Sequence, residues 1–117
     1  MAKSDTKKVK SKEIVVVREN DVPQSTYFEG NGFKIIAKVE KGQYIVTRYG
    51  WSGDPEVGES IVVTAKDTIK LMESYKVPTA EALVQAVGNR FARKEAHKCF
   101  EKIKLSLQRR GVPFTIK

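Results

Sequence analysis

From Phe33 to Val39 apolar side chains fall on every second position: Phe33, Ile35, Ala37 and Val39. A period of two is that of a strand with one buried face. Glu40-Lys41-Gly42 interrupts the pattern with a tight connection, and Tyr44 to Trp51 resumes it as the returning strand of a hairpin. The simplest pairing across that connection sets Val39 opposite Tyr44. Two faces follow, because side chains alternate along both strands. One face collects Phe33, Ile35, Ala37, Val39, Tyr44 and Val46, with Arg48 near its end, and reads as core. The other collects Lys34, Ile36, Lys38, Ile45, Thr47, Tyr49 and Trp51, mixing two lysines with two large aromatics.

Around the hairpin the pattern predicts further elements. Ile14-Val15-Val16-Val17 is a β-branched run and reads as a first strand, after which Asp21, Pro23, Gln24 and Ser25 break the pattern. Gly30-Asn31-Gly32 reads as a turn, residues 50–58 as a loop rich in turn formers, and Ser60 to Thr64 as a fourth strand. A helix is expected from Thr64 or Ala65 to about Lys76, stopped by Pro78. Thr79 suits the N-cap of the next helix, with Glu81 in its first turn. That helix is expected to run from about Ala80 to Arg110, with Gly88-Asn89 as the place for a kink and Gly111 and Pro113 as its end. The fold class expected is α+β: an antiparallel sheet of about four strands, then two or three C-terminal helices. Val112 to Ile116 reads as a last short strand or a docked tail.

Charge changes this picture by where it sits. The 117-residue chain has a formal net charge of +8. Residues 1–12 hold five lysines against Asp5, and residues 89–117 hold nine basic residues against two acidic ones. The stretch between them is slightly acidic, with eight basic and eleven acidic residues. Residues 1–12 hold too little apolar surface to order themselves and read as a disordered basic arm, which leaves 13–117 as one domain. A cationic surface attracts phosphate-rich polymers, because binding releases their condensed counterions.

The residue types exclude much other chemistry. Cys99 is the lone cysteine, so neither an internal disulfide nor a cysteine-built zinc site is expected. It reads as a small buried hydrophobe. His97 is the lone histidine, and residues two apart on a helix do not face each other, so the two form no catalytic pair. No phosphate loop, zinc spacing or serine elbow occurs, and Asp54, Glu56 and Glu59 read as a solvated loop rather than a metal site. The chain is therefore expected to be non-enzymatic and without cofactor or metal. It has no apolar run able to cross a bilayer and no signal-peptide core, which with a single thiol suits the cytoplasm.

Two surfaces qualify for polyanion binding. On the outward hairpin face, Tyr49 and Trp51 would stack on bases while Lys34 and Lys38 hold phosphates. On the long helix, Val84, Val87, Phe91, Ala92, Ala96, Cys99, Phe100, Ile103 and Leu107 form an apolar stripe. Arg90, Arg93, Lys94, His97, Lys98 and Lys102 lie mostly off it and can line a phosphate groove. The stripe is wide for one small sheet, so part of it, around Phe100, Ile103 and Leu107, is a candidate homodimer seam.

Over residues 13–110 the element order, size and composition resemble the archaeal ThermoDBP-type single-stranded-DNA-binding proteins. That resemblance implies a sheet and helices forming a cleft with basic and aromatic lining. A second similarity is to the positive-cofactor-four type of transcriptional coactivator. It rests on Tyr44 to Trp51, the turn Asp54-Pro55-Glu56-Val57-Gly58, the strand Ser60 to Thr64 and the start of the helix from Asp67 to Met72. This second resemblance implies nucleic-acid contacts at Arg48 and Trp51. The helical extension after Pro78 departs from that family. Together these readings lead to the expectation of sequence-tolerant single-stranded DNA binding, through Lys34, Lys38, Arg48, Tyr49, Trp51, Arg90, Arg93 and Lys94. RNA is the nearest alternative ligand. The alternative from another class is an assembly subunit docking through its C-terminal helix.

Overall fold

The computed structural model describes residues 14–30, 32–50 and 58–117. The basic stretch 1–12 and Trp51 lie outside them. Six strands form one antiparallel sheet in chain order: β1 (Val17–Glu19), β2 (Val22–Gly30), β3 (Phe33–Glu40), β4 (Gln43–Gly50), β5 (Gly58–Val63) and β6 (Thr115–Ile116). Three α-helices, α1 (Ala65–Tyr75), α2 (Ala80–Phe91) and α3 (Cys99–Arg109), are inserted between β5 and β6.

The β3–β4 hairpin has the expected register. Val39 faces Tyr44, Ala37 faces Val46 and Ile35 faces Arg48. Lys41 and Gly42 both take positive φ at the turn, the geometry whose twist matches that of the flanking strands. Ile35, Ala37, Val39, Tyr44 and Val46 are buried, as are Ile61 and Val63 of β5. The helices cover this face with Leu71, Leu83, Val84, Val87, Phe100, Ile103 and Leu107, closing one core. Polar pins fix the two layers. The Tyr44 N–H donates to Thr68 Oγ1 on α1 at 3.0 Å, and Tyr27 Oη donates to the Val84 carbonyl on α2 at 2.6 Å.

The sheet has six strands rather than four. Residues 21–25 do not break the pattern. Asn20 and Asp21 adopt positive φ as a two-residue turn, and β2 begins at Val22. Its inward residues Pro23, Ser25 and Tyr27 are buried, although two of them are not hydrophobic strand formers. Pro23 lies before the β2–β3 ladder, which starts at Gln24 opposite Lys38, so its missing N–H costs that ladder nothing. The strand expected at 14–17 begins only at Val17.

The long helix expected from Ala80 to Arg110 is two helices, and the break lies at Ala92–Lys98 rather than at Gly88-Asn89. Unbroken, 31 residues would extend about 46 Å, well beyond a strand of eight residues at about 27 Å. Folding back at Arg93-Lys94-Glu95, where Glu95 takes a φ of 58°, lets both apolar stripes reach the same sheet. Gly88 lies inside α2, and its lack of a side chain has a packing reason. A Cβ there would lie 2.7 Å from Ile14 Cγ1 and 2.8 Å from Tyr27 Cε1. The fold-back also corrects the dimer seam. Phe100, Ile103 and Leu107 are 0%, 1% and 2% exposed inside one chain, so they offer no free apolar face to a second copy. The Thr79 N-cap is as expected, accepting from the Ala82 N–H, and Thr64 caps α1 in the same way by accepting from the Asp67 N–H. Among the described residues no helix is long and apolar enough to cross a membrane.

Candidate nucleic-acid interface

The antiparallel register divides the sequence-derived residues between the two sides of the sheet. Lys34, Lys38 and Tyr49 share the side facing away from the helices, with Ile36, Ile45 and Thr47. Lys34 and Tyr49 are direct cross-strand partners, and the Lys34 ammonium lies 5.7 Å from the Tyr49 ring centre. Lys38 is held by Glu40 at 3.0 Å. Glu29 is the β2 partner of Lys34. This side thus carries acids beside both lysines, and its potential is close to balanced.

Arg48 stands half-buried on the helix side, near the end of β4. Its guanidinium lies 4.8 Å over the Phe33 ring.

Arg90, Arg93 and Lys94 form the third group. The C-terminal turn of α2 and the fold-back loop bring them around a concavity of about 550 Å³ that Asn89 and Lys102 complete. A second concavity, about 460 Å³, adjoins it through Arg90 and Lys102 and runs along α3 past Arg109 and Arg110. Phe91, Leu105 and Ser106 line it. Leu105 is 51% exposed, an apolar wall kept open between cations. Lys102, Leu105, Ser106 and Arg109 share one flank of α3 because they recur at steps of three and four. The sequence placed Lys102 on the basic helix face able to line a phosphate groove, but Leu105 and Arg109 were missed, although that spacing was available.

The charges of this cleft are only partly neutralised. Glu95 takes Lys102 at 3.2 Å and Lys98 at 4.0 Å. The Lys102 hydrogen bond holds the Glu95 carboxyl below its usual range, with Lys98 adding to the effect. Arg110 stacks 3.9 Å over Tyr75 and donates to Ser74 Oγ and, at 3.3 Å, to Ser106 Oγ. Arg90, Arg93, Lys94 and Arg109 make no ion pair among the described residues. Such a surface is suited to a flexible polyanion: cations hold phosphates while Phe91 and Leu105 offer apolar contact.

Cys99 takes no part. It is fully buried, and burial pushes its thiol up to about 12. Among the described residues no group of three or more metal-binding side chains converges. Comparison of the chain with protein-family models, with curated proteins and with solved structures finds no match.

Proposed function

We propose that the chain binds single-stranded nucleic acid without strong sequence demand, with the phosphate backbone lying in the cleft between α2 and α3. The observation that carries this reading is the convergence of Arg90, Arg93, Lys94 and Arg109, unpaired among the described residues, on two adjoining concavities with an apolar wall. Arginine suits the task, since its planar fork matches phosphate oxygens and remains charged at any physiological pH. A single strand fits better than a duplex, because a duplex keeps its bases stacked inside and leaves Phe91 and Leu105 without partners. The side of the sheet bearing Lys34, Lys38 and Tyr49 is a weaker candidate on charge balance. Docking of a protein through α3 has little apolar surface to use, since Leu105 is the one large hydrophobic residue exposed on that helix.

The test is a binding panel at low salt with fluorescently labelled single-stranded DNA, single-stranded RNA and duplex of equal length. The reading expects tight binding to a single strand and weaker binding to the duplex, with the DNA-to-RNA ratio reporting any use of the 2′-hydroxyl. Failure to bind any of the three contradicts it.

A further inference from the structure

A third concavity lies at the end of the sheet that carries Arg48. Arg48 and Glu59 are cross-strand partners on β4 and β5, yet no ion pair joins Arg48 to Glu59 or to any other described residue. The guanidinium instead lies over the Phe33 ring at 4.8 Å. Phe33 is braced from another direction by Phe28, whose ring centre is 5.0 Å away. Arg48 is therefore a cationic plane with an aromatic backing. Arg48 itself is half-buried. Gly32, Phe33, Arg48, Gly50, Gly58 and Glu59 bound a concavity of about 410 Å³. Gly50 and Gly58 contribute only backbone to it. At Gly58 the restriction is steric, since a Cβ would lie 2.8 Å from the Arg48 carbonyl oxygen. Glycine in a strand commonly marks a close approach of ligand or backbone.

We propose that this concavity is a nucleobase subsite, in which one unpaired base stacks on the Arg48 guanidinium and Glu59 accepts a hydrogen bond from an exocyclic amino group. Guanidinium planes stack unpaired bases as aromatic rings do, and a carboxylate accepts from the amino group of cytosine. The proposal rests on the single-strand reading above, and adds a surface that reads bases to one that holds phosphates. The two lie on the same side of the sheet. From Phe33 the aromatic contacts continue through Phe28 to His97, at 6.1 Å, and His97 follows the fold-back loop that carries Arg93 and Lys94. The outward lysines Lys34 and Lys38 lie across the sheet from this path.

The test compares a cytosine oligonucleotide, a thymine oligonucleotide and an abasic strand of equal length, each titrated against the wild type, Arg48→Lys and Glu59→Gln. Arg48→Lys keeps the charge and removes the plane. The wild type is expected to bind the cytosine strand roughly tenfold tighter than the abasic strand, about the contribution of one stacked base. Arg48→Lys should narrow that gap, the remainder belonging to base contacts with Phe91 and Leu105, and leave abasic affinity unchanged. Glu59→Gln, which stands on the neighbouring strand and does not depend on how Arg48→Lys folds, should lower the preference for cytosine over thymine. A wild type that binds abasic and cytosine strands equally, with full salt dependence, overturns the base subsite while leaving the phosphate cleft standing. An unchanged gap in Arg48→Lys also overturns it. Binding to none of the strands overturns both readings.

Discussion

The phenol oxygens of Tyr27 and Tyr44 lie 3.0 Å apart inside the core, and the direction of their hydrogen bond is settled by a third group. Tyr27 has one proton, and the Val84 carbonyl at 2.6 Å is an acceptor only, so Tyr27 donates to Val84 and Tyr44 donates to Tyr27. The relay joins β2, β4 and α2 without an unsatisfied atom. It also ranks two conservative substitutions. Tyr44→Phe removes the outer donor and is expected to cost about 1 kcal/mol, whereas Tyr27→Phe strands the Tyr44 hydroxyl, leaves the Val84 carbonyl with its helical partner alone and is expected to cost about 2 kcal/mol. Urea unfolding of the two variants checks the order. Equal losses would show that the relay is not directional.

Burial raises the proton affinities of both phenols, and of the Cys99 thiol, which moves from an ordinary 9.0 to about 12. Each folded-state value lies above its unfolded value, so the unfolded chain releases these protons first as the pH rises. The stability they contribute is complete below about pH 9 and is lost as the pH climbs towards 12. The urea midpoint should therefore hold steady from pH 6 to 8 and fall between pH 9 and 11. In the same experiment the native thiol should resist alkylation at pH 8, because it is both buried and protonated. Rapid alkylation of folded protein at pH 8 would contradict this.

Gly88→Ala sets helix propensity against packing. Alanine gains about 1 kcal/mol in a helix interior. The new Cβ, however, meets Ile14 and Tyr27 at 2.7 and 2.8 Å. Ile14 belongs to a segment held by one hydrogen bond to Asn89 and can move, but the Tyr27 ring is fixed by its relay. Overpacking of this kind costs about 1–3 kcal/mol, so a net loss of melting temperature is expected. A gain would mean that Tyr27 yields.

Opposite faces of α3 give the plainest contrast. Ile103 is 1% exposed and Leu105 is 51% exposed. Ile103→Glu should abolish cooperative unfolding, because it buries a carboxylate without a partner. Leu105→Glu should fold normally and weaken oligonucleotide binding by placing a negative charge in the cleft. Circular dichroism separates the two. A folded Ile103→Glu monomer would reopen the question of a dimer seam.

How far the sequence led depended on how strongly each residue spoke of its own neighbours. The hairpin register was legible from Phe33 to Gly50, because Phe33, Ile35, Ala37 and Val39 alternate cleanly and the simplest pairing across Glu40-Lys41-Gly42 is the one adopted. β2 was hidden because Pro23 and Ser25 occupy inward positions and look like loop residues. The break after Phe91 was hidden because the apolar spacing continues through Ala92, Ala96 and Cys99. What forbids a continuous helix is the size of the sheet, which no local window contains. The candidate site was legible in its composition and not in its partition. Arg48 and Tyr49 are adjacent in the chain and lie on opposite sides of the sheet, while Arg90 and Arg109 are nineteen residues apart and line one cleft.

That partition is also where the account is most directly tested. Affinity for a single-stranded oligonucleotide should be measured from 50 to about 300 mM salt for the wild type, for Arg93→Ala/Lys94→Ala in the cleft and for Lys34→Ala/Lys38→Ala across the sheet. Each phosphate contact on a single strand contributes roughly 0.7 to the slope of log affinity against log salt. The cleft variant should lose about 1.4 from that slope, and the sheet variant should keep the wild-type slope. An unchanged slope in the cleft variant, with the loss falling on Lys34 and Lys38 instead, would contradict the account and move the phosphate track to the other side of the sheet.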